Sequence, residues 1–185
     1  MGREVEIKMP LCNSTEVKHF LENNAKLKLN EHQLDVYFDS ENAGFTRDIS
    51  HISKWLRVRI EGEKATINYK KWLPEDAVIK THCDEYEVVI SSSDEMTQLL
   101  NGLGFFEVIR VDKIRNSWQL EQYEISIDSV EGLGDFIEVE YKGTTDDVSA
   151  IREKLFKIVE EIGAVTSDID LKGYPYLLLE KKLSN

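Results

Sequence analysis

Residues 2–10 read GREVEIKMP, and the alternation inside them sets the fold. Glu4, Glu6 and Lys8 alternate with Val5, Ile7 and Met9. Successive side chains of a strand point to opposite faces. Two carboxylates and an ammonium therefore share one face, and three apolar groups share the other. Such a charged face is either the wet side of an antiparallel sheet or the wall of a site. One strand alone favours the first reading.

The rest of the chain repeats the pattern. Leu34, Val36 and Phe38 oppose Asp35, Tyr37 and Asp39; Leu56, Val58 and Ile60 oppose Arg57, Arg59 and Glu61. Tyr86, Val88 and Ile90 oppose Glu85 and Glu87, and residues 122–128 and 137–142 alternate in the same way. Residues 64–72 and 108–118 are further strand candidates. Acidic pairs two residues apart recur as Glu4/Glu6, Glu85/Glu87 and Glu138/Glu140, and basic pairs as Arg57/Arg59 and Lys113/Arg115, with Lys70 on another strand. Carboxylates at i and i+2 stand ~7 Å apart on one strand face. Like charges that close repel, so a solvated sheet gains little from them. A divalent cation removes the conflict, because Mg²⁺ and Mn²⁺ favour carboxylate oxygen and water. Arg and Lys in turn suit phosphate oxygens, Arg as a planar fork and Lys as a point charge. If the sheet curls into a barrel, both sets face one lumen. Acid and base in one lumen suit a metal-bound polyphosphate.

Helical periodicity appears in residues 14–25, 93–103 and 146–162, with a short apolar turn near 174–179. Asn13/Glu16 and Ser92/Glu95 have capping-box spacing. About eight strands and three or four helices predict an α+β domain over residues 1–185, with an antiparallel sheet whose apolar face the helices cover.

The 185 residues are 41% hydrophobic and 31% charged, a globular balance. A formal charge of −12 without a basic run disfavours nucleic acid and anionic membrane as partners. No apolar stretch reaches membrane-spanning length. Cys12 and Cys83 lack metal-ligand spacing, and a reduced cytoplasmic setting is expected. His19, His32, His51 and His82 lack ligand spacing and read as surface residues. Trp55, Trp72 and Trp118 read as packing groups, and TRDISHIS at residues 46–53 as a loop at the tunnel mouth.

These blocks carry a resemblance. EVEIK at residues 4–8 resembles the ExExK motif of the CYTH, or triphosphate tunnel metalloenzyme, superfamily. QLDVYFD at 33–39, LRVRI at 56–60, NYKK at 68–71, DEYEV at 84–88 and VDKIR at 111–115 are similar to its later strands. IDSVEGLGDFIEVE at 127–140 resembles its most distinctive stretch. The form GLGDFIEVE looks most like the branch that holds class IV adenylate cyclases, with thiamine triphosphatases more distant. The match runs in order along nearly the whole chain.

The resemblance implies a closed eight-stranded antiparallel barrel with helices outside, and an enzyme acting on a small-molecule triphosphate with Mg²⁺ or Mn²⁺. It implies metal ligands at Glu4, Glu6, Glu138 and Glu140, assisted by Glu85 and Glu87. It implies phosphate contacts from Lys8, Arg57, Arg59, Lys70, Lys113 and Arg115. Asp128 is a lumen carboxylate in this reading, either ligating metal or orienting a basic side chain. Tyr37 and Lys70 match a proposed catalytic pair. Members often form homodimers, for which the sequence offers no register. Asn68, Trp118, Gly173 and Pro175 depart from the family pattern and leave the organic moiety open. Hydrolysis of a phosphoanhydride leads, with cyclisation of ATP to cyclic AMP and pyrophosphate as the alternative. A non-catalytic polyphosphate- or nucleotide-binding module is the reading from another class.

Overall fold

The computed structural model describes residues 3–49, 52–75, 82–167, 170 and 172–184. Its strands are β1 (Arg3–Pro10), β2 (Lys26–Ser40), β3 (Lys54–Glu61), β4 (Lys64–Leu73), β5 (His82–Ile90), β6 (Phe105–Leu120), β7 (Tyr123–Val130) and β8 (Gly134–Tyr141). The helices are α1 (Ser14–Asn24), α2 (Ser93–Gly102), α3 (Val148–Glu161) and α4 (Tyr174–Leu183). Every pairing is antiparallel, in the order β1-β5-β4-β3-β2-β6-β7-β8, and β8 returns to β1.

The expected closed barrel is met in part, by a curled sheet with one short seam. β1 meets β8 from Val5–Tyr141 to Pro10–Phe136. Among the described residues it meets β5 only at Arg3–Asp84 and Glu4–Cys83. The cause is stagger: β5 runs on to Ile90 past the start of β1.

The two faces of β1 go where its alternation sends them. Val5, Ile7 and Met9 are buried outside the curl, against Ile151, Leu155, Ile158 and Val159 of α3. Ile125, Ile127, Ile137 and Val139 join them, with Val17 and Leu21 of α1. Each fully buried side chain of this kind contributes ~1.5–3 kcal/mol by leaving water. A second cluster places Leu100 of α2 on Val36, Phe38 and Val58. The helices leave part of the outer sheet bare, and Tyr86 and Val88 of β5 are exposed.

The turn between β7 and β8 explains two glycines. Gly132 and Gly134 adopt φ of 79° and 96°, a region that costs residues with a Cβ. The tight reversal brings Glu138 and Glu140 back beside Ser126 and Glu124. Capping differs from expectation at α1. Asn13 makes no side-chain cap; its amide donates to Gly163 O at 3.0 Å and its oxygen accepts from Val165 N at 2.7 Å. The residue ties two distant segments instead. Ser92 does cap α2, accepting from Glu95 N at 3.1 Å. The apolar turn near residue 174 is a full helix, α4, entered through Pro175 and tethered by Lys181 Nζ on Gly132 O at 2.6 Å. No described helix is long and apolar enough to cross a membrane.

Candidate active site: a charged tunnel

The curled sheet surrounds a cavity of about 250 Å³. Lys8, Arg57, Arg59, Lys70, Lys113 and Arg115 all line it. So do Glu6, Glu85, Glu87, Glu138 and Glu140, together with Tyr37. The side chain of Glu4 lies outside the described residues, as do His51 and the side chain of His82.

Asp128 faces inward on the same side of β7 as Glu124, but it is 0% exposed, covered by the cations that line the cavity. Arg115 Nε and Nη2 donate to its two oxygens at 2.7 and 2.6 Å, Lys113 Nζ at 3.2 Å and the Tyr174 hydroxyl at 2.9 Å. The cause is register: Asp128 lies directly across from Arg115 in the β6–β7 ladder. Of its two roles, the geometry gives it the orienting one. Burial raises its pKa, but Arg115 and Lys113 outweigh that and bring it down to about 2.

Glu138 is held in a similar way. Lys8 Nζ approaches it at 2.9 Å and Arg115 Nη2 at 3.0 Å. Against burial, Arg115 and Lys8 hold its carboxyl well below the usual range. Lys113 goes the other way. Burial first, then the neighbouring Arg115, push its ammonium down to about 7 despite Asp128. Lys70 lies 3.5 Å from Glu85 and over the Trp72 ring. Tyr37 stands edge-on to Trp55, with ring centroids 5.3 Å apart, and hydrogen-bonds Arg57. Arg57 of β3 lies between Tyr37 on β2 and Asn68 on β4 in the ladder.

Wall residues that escape a strand-by-strand reading include Asp35, Glu124, Lys142 and Lys172. Asp35 is 1% exposed and contacts both arginines of β3. Pairing QLDVYFD antiparallel with LRVRI would have placed it opposite Arg59. Glu124 joins a row of carboxylates, since Glu6 pairs with Glu140 and Glu140 with Glu124. Lys142 Nζ bridges that row, 2.5 Å from Glu140 and 3.8 Å from Glu124. Trp55 and Trp72 pack in the cluster of Tyr37 and Tyr174 as expected and also line the cavity; Trp118 is 1% exposed in the outer core. Inward parity decides this, because Trp55 shares a face with Arg57, and Trp72 shares one with Lys70.

The end of the cavity near Trp55 is apolar. Tyr37, Trp55, Phe136 and Tyr174 cluster there, with Ile49 and Ile52 of the 46–53 loop packed against them. Lys8 Nζ lies 4.4 Å from the Tyr174 ring centroid.

The fold has counterparts among known proteins. The family model described as the CYTH domain matches residues 2–174. This chain belongs to the CYTH family. A Methanocaldococcus jannaschii protein, named provisionally as an adenylate cyclase, is 34% identical over 175 residues, covering 92% of this CYTH chain and 95% of its own. The PH1819 protein of Pyrococcus horikoshii shares 32% identity at a TM-score of 0.79, over 96% of this chain and 99% of that one. A Hippeastrum protein, 17% identical with a TM-score of 0.65 over 97% and 96% of the two chains, shares the fold; it is described as an adenylyl cyclase candidate with a dominant triphosphatase activity.

Carboxylate oxygens are the donor type that Mg²⁺ and Mn²⁺ take, and Glu6, Glu140 and Glu124 supply them side by side. Among the described residues no group of three or more His, Cys, Asp or Glu side chains is arranged to hold a metal ion.

Proposed function

We propose that this CYTH domain is a divalent-metal-dependent triphosphatase that cleaves a phosphoanhydride bond of a triphosphate held in the tunnel. One observation carries the reading: a protein of net charge −12 gathers eight lysines and arginines around one cavity, beside seven carboxylates. Such a wall suits a polyanion, and focuses its field where low-dielectric walls surround it.

In this reading Lys8, Arg57, Arg59, Lys113 and Arg115 grip phosphate oxygens. Phosphoryl transfer depends on positioning and charge stabilisation above all. The cations offset charge on the phosphoryl group and on the departing phosphate. A water attacks the terminal phosphorus as the bridging P–O bond breaks and the diphosphate end leaves; Lys70, in its neutral amine form, accepts the water's proton, and Tyr37 orients the reacting groups. Mg²⁺ or Mn²⁺, held by Glu6 and Glu140 with Glu124 and Glu4 beside them, would supply further neutralisation of the phosphates when bound. Glu85, 3.5 Å from Lys70, holds its amino group, with Glu87 two residues along β5. The name of the Methanocaldococcus relative favours a second reading, cyclisation of ATP, and Trp55 and Trp72 offer faces for a base. Hydrolysis leads because it asks for no positioned ribose.

The test is direct. ATP, thiamine triphosphate and tripolyphosphate are each incubated with the protein and Mg²⁺ or Mn²⁺, and phosphate, pyrophosphate and cyclic AMP are measured together. Metal-dependent phosphate release is expected. Cyclic AMP with pyrophosphate would move the assignment to the cyclase reading, and no product from any substrate would leave the binding module.

The lowered ammonium of Lys113 adds a consequence. Its ordinary pKa is 10.5, and in the free protein it is about 7. At pH 8 most chains therefore carry it neutral, and a bound polyanion restores the charge. Tripolyphosphate binding at pH 8 is expected to take up close to one proton, read as a calorimetric heat that varies with buffer ionisation enthalpy. Lys113→Met should remove most of that dependence; an unchanged dependence would exclude Lys113 as its source.

A further inference from the structure

Two aspartates hold two arginines of the wall in the same geometry. Arg115 of β6 meets Asp128 of β7 side-on, Nε to Oδ1 at 2.7 Å and Nη2 to Oδ2 at 2.6 Å. Arg59 of β3 meets Asp35 of β2 in the same way, Nε to Oδ1 at 2.6 Å and Nη2 to Oδ2 at 2.7 Å. Each is a directly opposed cross-strand pair. Asp35 also accepts from Arg57 Nη1 at 3.3 Å. We infer that Asp35 is a positioning residue for Arg59 and Arg57, and that it fixes the donors these arginines turn toward the transferred phosphoryl group.

The chemistry follows from the fork. A guanidinium has five N–H groups, and a side-on carboxylate occupies one edge of it. The opposite Nη1 end of Arg59 lies 3.9 Å from Glu61 Oε1, beyond hydrogen-bond distance, on the cavity wall. Arginine is a long side chain with many rotamers, and ordering it before substrate arrives removes that cost from the reaction. Asp35 can do this because it is itself fixed: it is 1% exposed on the long strand β2, whose neighbours β3 and β6 flank it on both sides. Its carboxyl stays ionised throughout the ordinary range, because Arg59 and Arg57 outweigh the burial that raises it.

This role differs from simple charge balance. Without the Asp35 charge, Arg57 and Arg59 remain cationic and still attract a polyanion. What they lose is a fixed direction. Ground-state binding should therefore persist while turnover falls.

The inference rests on the hydrolytic reading above, and the test separates the two. Wild type, Asp35→Asn, Arg59→Lys and the double variant are compared by tripolyphosphate calorimetry and by steady-state hydrolysis. Asp35→Asn is expected to keep the tripolyphosphate Kd or tighten it, and to lower kcat ~100-fold, as misplacement of a positioned group does. Arg59→Lys removes the fork, so adding Asp35→Asn to it should change kcat by less than about twofold more. Independent, multiplicative losses would overturn the inference, as would a Kd that weakens while kcat holds. If the Asn variant fails to fold, Asp35→Glu keeps the charge and displaces the carboxylate by one methylene. That variant should lose kcat and keep Kd, and wild-type kinetics from it would overturn the inference. No turnover by wild type sinks the hydrolytic reading; normal turnover by both wild type and Asp35→Asn sinks only this one.

Discussion

Asp128→Asn is expected to cost ~3–5 kcal/mol of stability, the range for removing one partner of a buried ion pair. Asp128 is 0% exposed, and its partners Lys113 and Arg115 are nearly as enclosed. An amide leaves two cations short of a counter-charge, with only Glu138 still on Arg115 at 3.0 Å. The Tyr174 hydroxyl also loses a charged acceptor, which loosens α4 where it enters the tunnel end. Melting temperature should fall by on the order of 10 °C. The pH dependence has a definite sign. The carboxyl has a folded pKa of about 2 and an ordinary value of 3.8, so it is depressed by folding. Its stabilisation is fully present above the ordinary value and is lost as pH falls through the folded one. Wild type should therefore lose more stability than the variant between pH 4 and pH 2. Urea melts at several pH values read this, and parallel curves for the two proteins would contradict it.

The second large effect is on turnover. Lys70→Met is expected to lower kcat ~10²–10⁴-fold, the range for a positioned proton-transfer group. Its melting temperature should hardly move, because a partly solvated ion pair contributes little to stability. Lys70 makes such a contact with Glu85 at 3.5 Å, at the rim of Trp72. A matched loss in kcat without loss of fold distinguishes a reacting group from a structural one. If Lys70→Met retains wild-type turnover, the proton passes to another group. Lys113 is then the next to replace, since its ammonium already sits at about 7.

Much of this architecture is legible in the chain. The alternation of Glu6 and Lys8 with Val5, Ile7 and Met9 places each of these residues on the face it occupies. All six expected cations reach the cavity wall because period-two parity is rigid: a strand cannot turn one residue without turning its neighbours. What parity leaves out is register. Asp35 is an ordinary polar residue until the ladder sets it opposite Arg59, and only the pairing of Asp128 with Arg115 separates its two expected roles. Glu124 becomes part of a carboxylate row only once β7 lies against β8. The short β1–β5 seam depends on stagger, which no single strand encodes. Trp55 and Trp72 look apolar enough for a core, yet inward parity places them on the tunnel wall. Asn13 has cap chemistry, but a long-range contact with Gly163 and Val165 uses it first.

The central claim is that the wall of charged side chains holds a triphosphate. Calorimetric titration of tripolyphosphate into the protein with Mg²⁺, against an Arg57→Ala/Arg115→Ala variant, measures this most directly. Saturable binding is predicted, weakening as added salt screens the cations and lost in the double variant. Absence of saturable binding, or equal affinity in the double variant, would contradict the account.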